Sequence, residues 1–193
     1  EENPINKANW LEVIALFYGE NEVTKAKHYL KNIEMQYSRL KELAKAANNK
    51  PKVMLGMPWK GNWYISGVNT YQANFIKDAG ANYQWEELVD YGSLPVAFEK
   101  VLVNSIDADF WLNPGSYKNK RDILELDERF NKINAFKESS IYSHYNRSNL
   151  KGANDYWESG VVEPNVILAD LIYIFHPSLL QEHKSKYYFR IDE

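Results

Sequence analysis

The chain has 193 residues, 45% of them hydrophobic, which is enough to fill the core of one ordinary domain or one large lobe. Its formal net charge of -3 attracts neither nucleic acid nor an anionic membrane surface, and its lack of cysteine excludes disulfides and thiolate metal sites. No run approaches the roughly 20 apolar residues needed to cross a bilayer, so direct membrane insertion is not expected.

Residues 1–50 are predicted to form a helical segment. Asn3 is suited to cap a first helix, which Gly19 ends. Apolar residues then recur at steps of three and four, which predicts a long helix over about 22–48 with one buried stripe. The residue before a proline avoids the helical region, so Pro51 marks the end of this segment.

Short apolar runs alternate with helical patterns from residue 51 to residue 193. The runs predicted to be strands lie at 53–57, 63–66, 109–112 and 140–145. The predicted helices lie at 70–79, 95–103 and 164–175, and a charged stretch at 121–136 is predicted to be helical in pieces. This alternation is typical of an α/β fold, so we expect a three-layer lobe in which helices flank a mostly parallel sheet.

Motifs for catalysis and for local metal binding are absent from the sequence. There is no glycine-rich phosphate loop, no Gly-x-Ser-x-Gly elbow and no His-Glu-x-x-His pair. The scattered histidines are assigned to surfaces or helix ends, and they are His28, His144, His176 and His183. Neighbouring carboxylates are interpreted as solvated faces, and they are Glu86 with Glu87, Asp107 with Asp109, and Asp127 with Glu128. The sequence therefore predicts no catalytic residue, no metal site and no cofactor.

A series of short stretches follows the long helix in a fixed order. They are residues 50–55 (KPKVML), 65–70 (ISGVNT), 75–82 (FIKDAGAN), 94–102 (LPVAFEKVL), 107–112 (DADFWL), 130–142, and 163–177, which runs from Glu163-Pro164 to His176-Pro177. In this order they resemble the substrate-binding proteins with a rigid interdomain helix that serve ABC importers of siderophores, haem and cobalamin. The resemblance extends over nearly the whole chain.

The resemblance implies that residues 51–193 are the C-terminal α/β lobe of a two-lobed binding protein, joined to the long interdomain helix. We expect the N-terminal lobe and an export signal, often a lipoprotein one, to belong to a longer protein. The resemblance further implies a periplasmic or cell-envelope location, a permease as partner and a metal chelate as ligand, namely a ferric siderophore, haem or a corrinoid. No enzymatic activity is expected.

The resemblance also implies that ligand contacts come from loops at 58–64, 91–94 and 156–158, where aromatic faces suit flat ligands. The nominated contacts are Trp59, Trp63, Tyr64, Tyr91 and Trp157, with Arg147 as the arginine near an anionic siderophore. Packing is an equal alternative for Trp63, Tyr91 and Trp157. The remaining tryptophans are assigned to packing, and they are Trp10, Trp85 and Trp111.

Glu99 matches the acidic position that engages arginines of the permease in the resembled family. Such a charge pair sets orientation and encounter rate more than affinity. An ordinary solvated helix glutamate is the alternative interpretation.

Two other classes of function remain open at the level of sequence. A carbohydrate-binding or adhesion module would use exposed tryptophan and tyrosine side chains to stack on sugar rings. Half of an α/β enzyme would need a pocket with strongly shifted titrating groups, for which the sequence gives no pattern.

Overall fold

A computed structural model describes residues 2–85 and 92–192. In chain order the helices are α1 Pro4–Ala8, α2 Trp10–Ala15, α3 Glu20–Ala44, α4 Tyr71–Asp78, α5 Phe98–Ser105, α6 Lys120–Leu124, α7 Asn134–Lys137, α8 Ser159–Val162 and α9 Pro164–Phe175. The strands are β1 Lys52–Leu55, β2 Pro58–Trp59, β3 Asn62–Ser66, β4 Asn82–Tyr83, β5 Ser93–Ala97, β6 Phe110–Leu112, β7 Ile141–Ser143 and β8 Phe189–Arg190. Short 3-10 turns lie at Leu16–Tyr18, Glu128–Lys132, Asp155–Trp157 and Pro177–Leu179.

The larger sheet has the strand order β4-β1-β6-β7-β8. Neighbouring strands from β4 to β7 are parallel, and β8 runs antiparallel to β7 at the edge. The predicted α/β class with a mostly parallel sheet is therefore confirmed.

Alternate residues of β6 face two different layers of the fold. Phe110 packs edge-on against Phe175 of α9, with ring centroids 5.2 Å apart. The next residue, Trp111, points the other way and lies 5.1 Å from the ring of Phe130 and 6.0 Å from that of Trp63. Since successive side chains of a strand point to opposite faces, the sheet is covered on both sides, as the three-layer prediction requires.

The long helix α3 lies within the same hydrophobic core as the sheet. The hydroxyl of its Tyr37 donates a 2.8 Å hydrogen bond to Asp78 at the end of α4, and Lys41 forms a 2.6 Å ion pair with the same carboxylate. The buried residues of α3 follow the predicted stripe, and they are Ala26, Leu30, Ile33, Tyr37 and Ala44. The helix ends four residues earlier than expected, and none of the helices in the described ranges is long and apolar enough to cross a bilayer.

The prediction of a helix over residues 95–103 is wrong for the first three of these residues, 95–97. Ser93–Ala97 forms strand β5, which pairs along its whole length with β3 in an antiparallel sheet of order β2-β3-β5, and the helix begins only at Phe98. Pro95 can be accommodated there because β5 is an edge strand, in which the N–H groups on the open side take no part in the ladder. This small sheet was not predicted, and it carries several of the nominated ligand contacts.

The first predicted helix is divided into α1, α2 and a 3-10 turn that ends at Gly19, whose φ of 105° stops it. Asn3 caps α1 as predicted, because its side chain accepts the N–H of Ile5 at 2.8 Å. Trp85 and Trp111 are buried, as assigned, but the packing assigned to Trp10 is wrong, since 52% of that residue is exposed.

Candidate functional site

The carboxyl ends of the central parallel strands meet at one edge of the larger sheet, which we call the carboxyl edge. Gly56 leaves β1, Asn113 leaves β6 and His144 leaves β7 at this edge. Gly56 has a φ of 80°, and a side chain there would approach the indole nitrogen of Trp63 to 3.4 Å. In open α/β sheets the crevice outside the carboxyl ends of the strands is where ligands bind, so this edge is the candidate site.

A β-hairpin made of β2 and β3 starts directly after β1 at the carboxyl edge. Its two-residue turn is Lys60-Gly61, and both residues have positive φ, as a tight hairpin turn requires. Trp59 and Tyr64 are 59% and 44% exposed, and their rings lie 6.2 Å apart. The ammonium of Lys60 lies 4.4 Å from the centre of the Trp59 ring. We call Trp59 and Tyr64 the aromatic platform, because together they offer an exposed apolar surface beside one positive charge.

Trp63 is buried, so its nomination as a ligand contact is corrected in favour of the packing alternative. Its relative exposure is 0%, and its indole N–H donates a 2.7 Å hydrogen bond to the carbonyl of Leu55. Its ring stacks on Phe98 at 6.1 Å with an interplanar angle of 7°. The alternation of β3 explains the difference, since Trp63 and Ile65 point inward while Tyr64 points to solvent.

Arg147 lies in the loop that follows β7, beside a shallow cavity of about 410 Å³. Its Nε donates a 2.6 Å hydrogen bond to Asp155, and this bond lowers the pKa of the Asp155 carboxyl below its usual value. Asn146, Ser148, Asn149 and Glu158 complete the polar lining of the cavity. The charge of Arg147 is therefore already compensated by a carboxylate, which weakens its expected role as an anion receptor.

Trp157 ends the 3-10 turn that follows this loop and is 45% exposed. Its ring meets that of His144 edge-on at 5.6 Å and that of Tyr71 at 6.5 Å. The ammonium of Lys7 lies 4.5 Å from the centre of the Tyr71 ring and 5.6 Å from that of Trp157. Trp157 thus combines packing with an exposed face, so both interpretations of this residue remain compatible with its position.

A buried polar group behind Trp157 was missed by the sequence analysis. His144 is 7% exposed, so its assignment to a surface or helix end is wrong, and burial lowers the pKa of its imidazole to about 4. Nδ1 of His144, the hydroxyl of Tyr71 and Oδ1 of Asn113 are buried without a hydrogen-bonding partner among the described residues. The available signal was position, since His144 lies near the end of the strand predicted at 140–145 and Tyr71 lies at the start of the helix predicted at 70–79.

Glu99 lies in the first turn of α5 and has a 70% exposed side chain. A backbone hydrogen bond and a 3.2 Å hydrogen bond from Arg129 lower the pKa of its carboxyl, so it is ionised at neutral pH. Arg129 is itself held by Asp127, whose carboxylate accepts from Nε and from Nη2 at distances of 2.7–3.1 Å. Glu99 is therefore an exposed anion whose orientation is fixed by an ion-pair network.

The other nominated site residues fall into two groups. Tyr91, Glu86 and Glu87 lie outside the described residues, whereas Asp107 and Asp109 form structural contacts. Asp107 forms an ion pair with Lys52, and Asp109 accepts the backbone N–H of Lys52 at 2.7 Å. Within residues 2–85 and 92–192, no three metal-ligating side chains of His, Asp or Glu come close enough to hold an ion.

The other histidines differ from one another in burial. His28 is exposed, as expected, and His176 caps the end of α9, although it is only 5% exposed. Nε2 of His183 lies 2.6 Å from the fully buried carboxylate of Asp170, which fixes the segment between α9 and β8.

Comparison with known proteins identifies a matching family. Residues 6–146 match the family described as periplasmic binding protein. An uncharacterized lipoprotein of Methanocaldococcus jannaschii is 23% identical over 98% of this chain, but the match covers only 44% of that protein. The chain therefore spans about half the length of this relative.

Two solved structures are similar in fold. One is a possible iron-binding (periplasmic solute-binding) protein from Staphylococcus epidermidis, with a TM-score of 0.66, 16% identity and coverage of 90% of this chain and 63% of that one. The other is the periplasmic haem-binding protein of a Roseiflexus species in its apo form, with a TM-score of 0.69, 16% identity and coverage of 92% and 65%. At this identity the likeness shows the fold alone.

Proposed function

This chain belongs to the periplasmic binding protein family, and we propose that the whole protein captures a metal chelate and delivers it to the permease of an ABC importer. Membership of the family means a binding role rather than an enzymatic one, and a periplasmic or cell-envelope location. A lipid anchor in the whole protein is part of the proposal, supported by the lipoprotein name of the Methanocaldococcus jannaschii relative. The ligand proposed from the sequence is a ferric siderophore, haem or a corrinoid.

The aromatic platform at the carboxyl edge is the observation that carries this proposal. Trp59 and Tyr64 are large, exposed and held on a short hairpin, so they lose little rotamer freedom when a ligand covers them. Large ligands with flat or aromatic faces gain most from such a surface. The position at the carboxyl edge matches where α/β sheets bind ligands.

The charges near the platform favour one group within the proposed ligands. Arg147 is paired with Asp155, whereas the ammonium of Lys60 lies directly over the ring of Trp59. A single ammonium beside an aromatic face suits a flat macrocycle with few peripheral carboxylates better than a strongly anionic complex. We therefore place haem and corrinoids before trianionic ferric siderophores.

Ligand titration of the whole protein tests this function. Haemin, cyanocobalamin and ferric siderophores are added separately while tryptophan fluorescence is recorded, with correction for absorption by the ligand. We expect saturable quenching by one of them, and a dissociation constant about fivefold higher in Trp59→Ala, since loss of an aromatic contact costs about 1 kcal/mol. Leu126→Ala, at an exposed apolar residue after α6, is the matched control and should bind like the parent.

Two outcomes would contradict the proposal. Quenching by oligosaccharides with no response to the three chelates would favour the carbohydrate-binding or adhesion module. Equal dissociation constants for the parent and for Trp59→Ala would show that the aromatic platform is not part of the ligand site.

Docking to the permease is proposed for Glu99. Its carboxylate is exposed and oriented by Arg129. Because Arg129 is shared with Asp127, the three side chains keep one net negative charge, which is available to a cationic group on a partner. In the reconstituted transporter, Glu99→Gln is expected to lower ligand-stimulated ATP hydrolysis by about tenfold at limiting binding protein, because charge pairs at the rim of an interface control association. Ligand affinity of the variant should equal that of the parent.

Glu125→Gln is the control for this measurement, because Glu125 is also exposed and pairs with an arginine, Arg121. If both variants stimulate the permease as the parent does, Glu99 is an ordinary solvated glutamate. If Glu99→Gln weakens ligand binding instead, Glu99 contributes to the ligand site and not to docking on the permease.

A further inference from the structure

A polar cavity of about 430 Å³ lies between α4 and the edge strand β4, and it shares no residue with the aromatic platform. Its lining comes from the segment before β1, from α4 with the residues before it, and from the turn into β4. Among the described residues its polar side chains are two ammonium groups and three carboxamides, and they belong to Lys50, Lys77, Asn69, Asn74 and Asn82. We call this cavity the lysine pocket.

The two lysines of the pocket form no ion pair within residues 2–85 and 92–192. A second cavity of about 240 Å³ is also lined by Lys50 and Lys77, so the two cavities adjoin. The carboxylate that lines the second cavity, Asp78, is already held by Lys41 at 2.6 Å and by the hydroxyl of Tyr37 at 2.8 Å. Two uncompensated positive charges therefore face one polar cavity.

The edge strand β4 adds a backbone donor to the wall of the lysine pocket. The N–H groups of Asn82 and Gln84 donate to the carbonyls of Pro51 and Val53 at 2.9 and 3.3 Å, in the parallel ladder with β1. Tyr83 lies between them, so its N–H points away from β1, toward the open edge of the sheet. An outward N–H in the lining of the pocket is suited to donate to an oxyanion.

The walls of the lysine pocket are held in place by contacts outside it. Gly80 has a φ of 79°, and a side chain there would approach the carbonyl of Ala44, at the end of α3, to 2.9 Å. The carboxamide of Asn74 is oriented because its Nδ2 donates a 3.2 Å hydrogen bond to the carbonyl of Glu2. A ligand of the pocket therefore meets donors whose supporting backbone is already ordered.

Helix ends account for only part of this positive charge. Cations are favourable in the last turn of a helix, where Lys41 of α3 and Lys77 of α4 lie. Lys50 follows the end of α3 at Ala44 by six residues, so complementing the helix dipole does not explain why it faces the same cavity as Lys77.

We propose that the lysine pocket binds a phosphate group, with Lys50 and Lys77 as its cationic contacts and the N–H of Tyr83 as a backbone donor. Phosphate offers more acceptor oxygens than a carboxylate does, and lysine binds it as a point charge. The phosphate comes either from the free ion or from the headgroup of a membrane lipid, both of which suit a protein of the cell envelope. The inference is independent of the chelate and of the aromatic platform.

The test uses the 193-residue chain, which has one hydrophobic core, and a pair of double variants with the same net charge. Lys50→Gln/Lys77→Gln removes both ammonium groups of the pocket. Lys31→Gln/Lys132→Gln is the matched control, because these two lysines are also exposed and line neither cavity. Inorganic phosphate is titrated by calorimetry at low ionic strength, and flotation is measured with vesicles of phosphatidylcholine, with and without phosphatidic acid.

We expect the dissociation constant for phosphate to be at least about tenfold higher in the pocket variant and unchanged in the control, because charge-assisted hydrogen bonds are lost only in the former. This result identifies free phosphate as a ligand. Flotation that requires phosphatidic acid and disappears in the pocket variant, without binding of inorganic phosphate, identifies the lipid headgroup instead.

Two results would overturn the inference. One is the absence of binding in both arms, and the other is an equal loss in the two double variants, which would show that net charge alone attracts the anion. Trp59→Ala should bind phosphate like the parent, so failure of the chelate titration and failure of this test are distinguishable. Melting temperatures of the double variants within a few degrees of the parent show that the fold is retained.

Discussion

Replacement of Trp63 by alanine is expected to destabilise residues 1–193 by about 3–5 kcal/mol, the range found for large aromatic residues in cores. The indole is fully buried, stacks on Phe98 and contacts Trp111 and Phe130, so its removal leaves a large cavity between the two sheets. The carbonyl of Leu55 would also lose its hydrogen bond from the indole N–H. Urea unfolding followed by circular dichroism measures the change.

Trp59→Ala is the matched comparison, because it removes the same side chain from the same hairpin. Trp59 is exposed, so its removal should change the free energy of unfolding by less than about 0.5 kcal/mol. A small effect of Trp63→Ala, or a large effect of Trp59→Ala, would show that the orientation of β3 is reversed. In that case Trp63, and not Tyr64, would face solvent and would again be a candidate ligand contact.

A second large effect is expected from pH, through His144. Its pKa is about 4 in the folded chain because burial disfavours the charged imidazole, whereas an unfolded histidine titrates near 6.5. The unfolded chain therefore binds more protons between these values, and stability falls as pH decreases from about 6.5 to about 4. The loss attributable to His144 is about 3 kcal/mol, at 1.36 kcal/mol for each unit of pKa.

Four aromatic rings pack around His144, and the buried phenols of Tyr156 and Tyr188 stay neutral in this range. The four rings belong to Tyr145, Tyr156, Trp157 and Tyr188, and burial raises the pKa of Tyr156 and Tyr188 above the usual value for a phenol. In urea unfolding at a series of pH values, His144→Gln should flatten the decline between pH 6.5 and 4, whereas His28→Gln, at an exposed position, should keep it. An unchanged slope in His144→Gln would mean that the imidazole is accessible to water.

Elements with a strong local pattern were predicted well from the sequence. Residues 164–175 form α9 with the predicted bounds, because Pro164 sets the first turn and the apolar pattern continues to Phe175. The stripe of α3 and the cap of α1 by Asn3 are also local, since helix spacing and a side-chain hydrogen bond to the backbone determine them.

Strand β5, at residues 93–97, shows why the local sequence pattern did not predict every element correctly. Leu94-Pro95-Val96-Ala97 fits a helix start because proline suits the first turn. It forms a strand because β3, about 30 residues earlier in the chain, offers an antiparallel partner along its whole length. The same pairing selects which face of β3 is buried, and hence separates Trp63 from the aromatic platform.

The sequence by itself determined the α/β class, the long helix and the order of stretches that resembles the binding-protein family, because these depend on periodicity and on residues close together in the chain. Only the tertiary structure decided which tryptophans are exposed, that Arg147 is paired with Asp155 and that His144 is buried. Those properties depend on contacts between segments far apart in sequence. Burial and charge pairing of a side chain are set by its neighbours in space, which a linear pattern does not specify.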